Sequence, residues 1–170
     1  MAAVTIIAGP VGSGKTAVAQ ALEKIWPGPL ISIEGDKFWS FFAKGASDDF
    51  RENFGLIMRS MTVAAVPFWK TGYDVILDFS VPPGFIQHAH TILKEAPLHY
   101  IVLRPSAAVC AKRAAARAEG KIDNYEPYSR LYALFDDAPA PSVVQDETGS
   151  AEQTAQHVFE GLAAGKFRVA

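Results

Sequence analysis

The sequence predicts an α/β fold in which one parallel sheet lies between two layers of helices. Strand-like apolar runs alternate with helix-like segments along the chain, and this alternation favours a parallel sheet covered on both faces. Right-handed crossover connections leave few topologies for such a chain. The length of 170 residues, with 49% hydrophobic and 20% charged residues, suits a single domain, residues 1–170, with a substantial core.

The first half of the chain supplies three predicted strands and the helices between them. Val4–Ala8, Leu30–Ile33 and Tyr73–Phe79 are short apolar runs of strand length. Lys15–Ile25 has helical apolar spacing and stops at "WPGP". The long segment from Asp36 to Thr71 has helical patches, and we expect a break near residues 45–48, with Asp48 as the N-cap of the second helix.

The second half continues the same alternation. "PPGF" predicts the start of a helix that runs to about Glu95, and "LHYIVLR" predicts the fourth strand, Leu98–Arg104. An alanine-rich helix follows from Ser106 to Glu119, with Ser106 as its cap. The remaining segments are predicted to be a polar loop, a helix, a short strand and a final helix: Gly120–Glu126, Pro127–Asp137, Ser142–Gln145 and Ser150–Ala164.

Composition argues against several classes of protein. The net charge of −2 does not suit an extended nucleic-acid surface, which needs excess positive charge. The start "MAAVTII" lacks the basic region of a signal peptide, and no apolar run reaches the roughly 18 residues of a membrane span. We therefore expect a cytoplasmic protein without nucleic-acid or membrane partners. The single cysteine, Cys110, is expected to be a small buried helix residue.

A glycine-rich loop joins the first strand to the first helix and has the spacing G-x-x-x-x-G-K-[ST]. Glycine lets backbone N–H groups approach phosphate oxygens, and the helix N-terminus points at the same charge. The lysine can reach the β- and γ-phosphates, and the threonine hydroxyl can hold Mg²⁺. The predicted nucleotide-binding residues are Gly9, Pro10, Val11, Gly12, Ser13, Gly14, Lys15 and Thr16.

Acidic residues follow the second and third predicted strands, at the edge of the sheet where ligands bind in such folds. Glu34 and Asp36 are two residues apart, so one carboxylate can lie near Mg²⁺ while the other reaches an acceptor hydroxyl. A phosphoryl acceptor needs a group that orients it and takes its proton. Asp78 ends the apolar run "VILD" and is predicted to contact either the Mg²⁺ shell or the substrate.

The glycine-rich loop, the acidic pair and the arginines Arg113 and Arg117 together resemble the small P-loop kinases. This group includes shikimate and gluconate kinases, chloramphenicol phosphotransferase and the zeta-toxin kinases. The resemblance implies a P-loop fold with strand order 2-3-1-4-5 and transfer of the γ-phosphate of ATP to a hydroxyl. It also implies that Asp36 is the base and that Glu34 assists Mg²⁺ through water.

The same resemblance implies a mobile lid at about residues 118–128. Arg113 and Arg117 are four residues apart, on one face of the predicted helix. The resemblance places Arg113 near adenine and Arg117 near the transferring phosphates, where a planar donor matches developing charge. It also places an adenine loop at residues 148–150, with Thr148 as a contact. Lys121 and Arg130 are further candidates for the lid.

The segment between the second and third strands should form the acceptor site. It is rich in aromatic residues, and of these Phe38 is predicted to contact the substrate. Arg59 is the candidate for binding a polar or anionic substrate group. Because the segment has few cations, we expect a neutral or weakly charged small-molecule acceptor. The chain is expected to be a monomer or a homodimer.

Other uses of a bound nucleotide remain open. An ATP-binding or ATPase regulatory protein, a switch or a motor needs no small-molecule acceptor. However, the sequence shows no N-K-x-D guanine signal and no additional domain. A nucleotide-binding protein that has lost catalysis is a third alternative, against which the presence of Lys15, Thr16, Asp36 and Arg117 argues.

Overall fold

A computed structural model describes residues 2–145 and 147–169, apart from the side chain of Phe50. Its sheet is parallel and five-stranded, in the order β2-β3-β1-β4-β5, which confirms the predicted fold class and strand order. The strands are β1 Val4–Ala8, β2 Leu30–Glu34, β3 Asp74–Asp78, β4 Leu98–Leu103 and β5 Val143–Val144. The α-helices are α1 Lys15–Ile25, α2 Phe50–Lys70, α3 Ile86–Ile92, α4 Ala107–Ala115, α5 Ser129–Ala133 and α6 Ala151–Ala163.

Two hydrophobic cores lie on the two faces of the sheet. Successive side chains of β1 alternate between them: Val4 and Ile6 belong to the core under α2 and α3, and Ile7 to the core under α1 and α6. Every residue of β1 is buried, as expected for a central parallel strand. The carboxyl ends of the strands are therefore held rigidly from both sides, and the loops that follow them are placed at one edge.

The predicted break in the segment after β2 is confirmed, but its cap is wrong by one residue. A 3₁₀ helix spans Gly35–Phe41, and α2 starts at Phe50. Its N-cap is Asp49 rather than Asp48, because the Asp49 carboxylate accepts a hydrogen bond from the Arg51 N–H at 2.8 Å. That bond satisfies one of the free amides of the first turn.

Three predicted helices are shorter than expected. The segment after β3 begins as a 3₁₀ turn, Pro83–Phe85, and its helix ends at Ile92 instead of Glu95. The helix expected over residues 127–137 is reduced to a 3₁₀ turn and α5. Helix α4 ends at Ala115 rather than Glu119. There the chain folds back, and the Ile122 N–H bonds to the Ala114 carbonyl oxygen at 3.1 Å.

A C-terminal segment covers the free side of β4 where β5 is too short to reach. The Tyr100 N–H bonds to the Phe167 carbonyl oxygen, and the Val169 N–H to the Leu98 carbonyl oxygen, both at 2.9 Å. Arg168 forms an antiparallel bridge with His99. This pairing was not predicted from the sequence. Across the described ranges, none of the helices combines the length and the apolar character needed to cross a membrane.

Candidate active site

Residues 9–14 form a tight loop between β1 and α1. The φ angles of Gly9 and Gly12 are 147° and 81°, which suits glycine. A methyl carbon at Gly9 would lie 2.3 Å from the Leu103 carbonyl oxygen, and one at Gly12 would lie 2.2 Å from the Cys110 carbonyl oxygen. The loop therefore lies directly against the end of β4 and against α4, with no room for larger residues at these two positions.

A cleft of about 530 Å³ opens above this loop, at the carboxyl edge of the sheet. It brings together residues from the glycine-rich loop, the end of β2, the end of α4 and the start of α6. The lining residues are Gly12, Ser13, Gly14, Lys15, Thr16, Ala17, Val18, Glu34, Asp36, Leu103, Pro105, Arg113, Arg117, Glu119, Val144, Gly149, Ala151 and Thr154. Most of the residues predicted for the site thus meet in one cavity.

Lys15 lies at the centre of the charged groups in the cleft. Its side chain is buried, and the ammonium group donates a hydrogen bond to the Pro10 carbonyl oxygen at 3.1 Å. Burial lowers the pKa of Lys15, while the carboxylates of Asp78 and Asp36 act in the opposite direction. Arg117 lowers the Lys15 pKa further. The four groups are therefore close enough to interact electrostatically.

Asp78 ends β3 and is only 4% exposed. Burial raises the pKa of its carboxyl group, whereas the charge of Lys15 and a side-chain hydrogen bond with Thr16 lower it. Within the described residues, Asp78 is absent from the cleft wall, and its carboxyl group is hydrogen-bonded to the side chain of Thr16, which does line the cleft.

Glu34 and Asp36 both line the cleft on the side of β2. Glu34 forms an ion pair with Lys37 at 3.1 Å. Between the two acids, Gly35 packs against the buried Phe79 ring, where an added methyl carbon would lie 2.5 Å from the ring. This contact fixes the start of the 3₁₀ helix, so that both carboxyl groups leave the sheet edge toward the glycine-rich loop.

Arg113 and Arg117 both line the cleft, but the elements that carry them differ from the prediction. Arg113 lies on α4, and its Nη1 donates to the Ser13 carbonyl oxygen at 3.3 Å. Arg117 lies beyond the end of α4, so the prediction that both arginines share a helix face was wrong. The fold-back of residues 116–122 toward α4 places Arg117 beside the cleft together with Glu119.

The predicted acceptor residues beyond Asp36 occupy a different place. Phe38 lines a separate apolar groove of about 220 Å³ between the 3₁₀ helix and α2, together with Phe41, Phe42, Leu56, Ile57 and Ser60. Phe38 also packs against the core, whereas Phe41 is 73% exposed. Arg59 is exposed on α2, and among the described residues it lines neither the cleft nor this groove.

The opposite end of the cleft is apolar and could hold a nucleobase. Its walls there are Leu103, Pro105, Val144 and Ala151, together with the backbone of Gly149. Thr148, the residue predicted to contact adenine, is exposed next to Gly149. The loop is tied to α4 by Glu147, which accepts hydrogen bonds from the Ser106 N–H at 2.8 Å and from its hydroxyl at 2.9 Å.

Sequence reasoning missed three residues around the cleft: Glu119, Glu147 and Tyr125. The Tyr125 hydroxyl donates a hydrogen bond to the Val11 carbonyl oxygen at 2.6 Å. No motif marks Glu119 or Glu147. A tyrosine at the end of a polar loop is a weak signal, since its partner lies 114 residues away in the chain.

The residues present fit a nucleotide with Mg²⁺. The Ser13 hydroxyl is buried and has no hydrogen-bond partner in the described structure, which leaves a polar group beside the phosphate-binding backbone. Thr16, Asp78 and Glu34 offer hydroxyl and carboxylate oxygens, the ligands that Mg²⁺ prefers, and Mg²⁺ usually completes its shell with water and phosphate. The described residues contain no cluster of three or more His, Cys, Asp or Glu that could hold a metal alone.

The glycine-rich loop on a sheet of order 2-3-1-4-5 defines the P-loop fold, and the family whose pattern the chain matches confirms the resemblance seen in the sequence. More specifically, the chain belongs to the family of chloramphenicol phosphotransferase-like proteins, whose pattern matches residues 2–129.

Solved structures of kinases share this fold. An unliganded sugar kinase from Janibacter sp. HTCC2649 is 18% identical, with a TM-score of 0.73 over 96% of this chain and 95% of that chain. The APS kinase of Mycobacterium tuberculosis is 19% identical, with a TM-score of 0.72 over 95% and 98%. A gluconokinase from Sinorhizobium meliloti 1021 is 18% identical, with a TM-score of 0.68 over 95% and 92%. These similarities establish the fold.

Proposed function

We propose that this protein is an ATP-dependent phosphotransferase that moves the γ-phosphate of ATP to a hydroxyl of a small molecule. The observation that carries the proposal is the shared cleft. Asp36 and the glycine-rich loop line the same cavity, and the Asp36 carboxylate lies within electrostatic range of Lys15. A donor site and a proton acceptor for the hydroxyl are thereby next to each other.

Each charged side chain then has a role in the transfer. The loop and Lys15 bind the β- and γ-phosphates, and Thr16, Glu34 and Asp78 would hold Mg²⁺, which supplies electrostatic stabilisation of the phosphate charge. Asp36 orients the acceptor hydroxyl and takes its proton. Arg117 stabilises charge on the transferring group, and Arg113 lies on the nucleotide side. Thr148 and its neighbours contact the base.

We further propose that residues 118–128 act as a lid within a single kinase-like domain spanning residues 1–170. A lid would exclude water from the cleft and so reduce hydrolysis of ATP. Arg117 directly precedes this segment and Glu119 lies within it, and both already line the cleft.

The charge of the acceptor side favours a neutral acceptor. Glu34 and Asp36 line the cleft there, and they would repel a carboxylate or sulfate on the substrate. The groove lined by Phe38 offers apolar surface beside the 3₁₀ helix that carries Asp36, whereas Arg59, the predicted contact for a polar substituent, lines neither of these two described cavities. The family name makes chloramphenicol one candidate acceptor.

The test is phosphate transfer by the wild-type protein and the Asp36→Asn variant. ATP, Mg²⁺ and a panel of neutral hydroxyl compounds, chloramphenicol among them, would be compared with gluconate and shikimate by ADP release and mass spectrometry of the product. We expect a neutral compound to be phosphorylated and Asp36→Asn to slow transfer by about 10²- to 10⁴-fold. ADP binding should change by less than about two-fold, because Asp36 is assigned to the acceptor.

A matched control is Asp137→Asn, since Asp137 is exposed and does not line the cleft, and this variant should keep full activity. Undiminished transfer by Asp36→Asn would refute the assignment of the base. ATP turnover that no acceptor stimulates would instead favour a regulatory ATPase.

A further inference from the structure

Three carbonyl oxygens of the glycine-rich loop are held by side chains. Lys15 Nζ bonds to the Pro10 oxygen at 3.1 Å, and Arg113 Nη1 bonds to the Ser13 oxygen at 3.3 Å. The third bond is the shortest: the Tyr125 hydroxyl donates to the Val11 oxygen at 2.6 Å. No sequence motif singled out Tyr125 within the predicted lid. Among the described residues that line the cleft, Tyr125 is absent.

The hydrogen bond to the Val11 carbonyl oxygen also fixes the direction of the N–H in the same peptide group. A peptide group is planar and trans, so the N–H of one residue points away from the carbonyl of the residue before it. With the Val11 oxygen turned toward Tyr125, the Gly12 N–H is turned to the opposite side of the loop. Gly12 lines the cleft, and its own packing against the Cys110 backbone prevents a shift of the peptide toward α4.

Tyr125 is well placed to hold this orientation. The Cys110 thiol lies within hydrogen-bonding contact of the hydroxyl, and burial raises the pKa of the Tyr125 phenol above its usual value. The group therefore keeps its proton and remains a donor over the physiological pH range. The Tyr128 ring packs beside it, tilted by 35° and with the ring centroids 5.9 Å apart, which restricts the Tyr125 ring.

We propose that Tyr125 is a positioning residue for polyphosphate: its hydroxyl orients the Val11–Gly12 peptide so that the Gly12 N–H donates to the bound phosphates. The proposal rests on the nucleotide-binding part of the proposed function. Since Arg113 precedes the lid segment and Tyr125 lies within its last residues, both ends of that segment are anchored to the same loop.

The experiment compares Tyr125→Phe with the control Tyr128→Phe. Phenylalanine keeps the ring and removes only the hydroxyl, and Tyr128 is a neighbouring tyrosine whose ring packs against Tyr125. Binding of ATP, tripolyphosphate and AMP would be measured by calorimetry, alongside thermal unfolding. We expect Tyr125→Phe to weaken the binding of ATP and tripolyphosphate about five-fold, because the freed Val11–Gly12 peptide must then be ordered when the phosphates bind. The binding of AMP should stay nearly unchanged, and the melting temperature should fall by about 3 °C for the lost hydrogen bond.

The outcomes separate this inference from its alternatives. If Tyr125→Phe weakened the binding of AMP and of tripolyphosphate equally, Tyr125 would have a general structural role and the inference would be overturned. Unchanged binding of tripolyphosphate, or an equal loss in Tyr128→Phe, would overturn it as well. A wild-type protein that binds tripolyphosphate but phosphorylates no acceptor would refute the proposed transferase while the inference stands. A wild-type protein that binds neither ATP nor tripolyphosphate would refute both.

Discussion

Replacing Gly12 by alanine tests how closely the loop is packed against α4. The backbone of Gly12 has φ of 81°, which costs an L-residue about 1–2 kcal/mol. The added methyl carbon would lie 2.2 Å from the Cys110 carbonyl oxygen, whereas ordinary contact begins at 3.4 Å, so one of the two must move by 1.2 Å (3.4 − 2.2). Overpacking of this kind costs about 1–3 kcal/mol more.

Gly14→Ala is the matched variant. Gly14 has φ of 97°, but its nearest neighbour would be Arg113 Nη1 at 3.8 Å, so only the backbone cost applies. At about 3 °C per kcal/mol for a chain of this size, we expect melting temperatures lower by about 5 °C for Gly14→Ala and about 10 °C for Gly12→Ala. Thermal unfolding monitored by circular dichroism measures both. Equal losses would refute the argument that the Cys110 carbonyl blocks a side chain at Gly12.

Two further predictions concern charged groups. Burial raises the pKa of Asp78 above its ordinary value of 3.8, so the folded protein holds this proton more tightly than the unfolded chain does. The contribution of Asp78 to stability therefore falls as pH rises from about 3.8 through the folded-state value. Denaturant unfolding should show Asp78→Asn gaining stability over wild type as pH rises, and a pH-independent difference would contradict this. Arg104 and Asp136 form an ion pair at a position where Asp136 is 59% exposed, so Asp136→Asn should cost at most about 1 kcal/mol. This loss of stability should shrink in about 1 M salt. A larger loss that does not depend on salt would contradict the assignment of a solvent-screened ion pair.

The sequence was sufficient to predict the strands of the sheet, because each strand carries a strong local signal. Val4–Ala8 is continuously apolar and is the fully buried central strand, and the glycine-rich loop with its Lys15 helix has the predicted bounds. The ends of helices were harder to predict. An alanine-rich run continues as a helix by propensity alone, and only the tertiary bond from Ile122 to Ala114 shows why α4 stops early.

The side of the cleft formed by the glycine-rich loop was predictable from the sequence, whereas the surroundings of Asp36 were only partly so. Motif spacing identifies Lys15 because its chemistry depends on neighbours in the chain. Arg59 was chosen because it is one of the few cations in an aromatic segment, but in the structure its side chain is exposed to solvent. Which face of α2 meets the sheet depends on packing across the whole segment, and a single residue type carries no information about that.

Burying the charged groups of the cleft reduces the stability of the folded protein when no ligand is bound. This cost links the stability of the protein to ligand binding. Burial lowers the pKa of Lys15 and raises that of Asp78, so in both residues burial opposes the charged form. A bound polyphosphate would place negative charge beside Lys15 and favour its protonated form. Binding to the folded protein alone stabilises it by RT ln(1 + [L]/Kd), about 2.7 kcal/mol at a ligand concentration of 100 Kd. The burial of these two charges supports the proposed phosphate site, because the start of α1 and the end of β3 hold Lys15 and Asp78 in place before a ligand arrives.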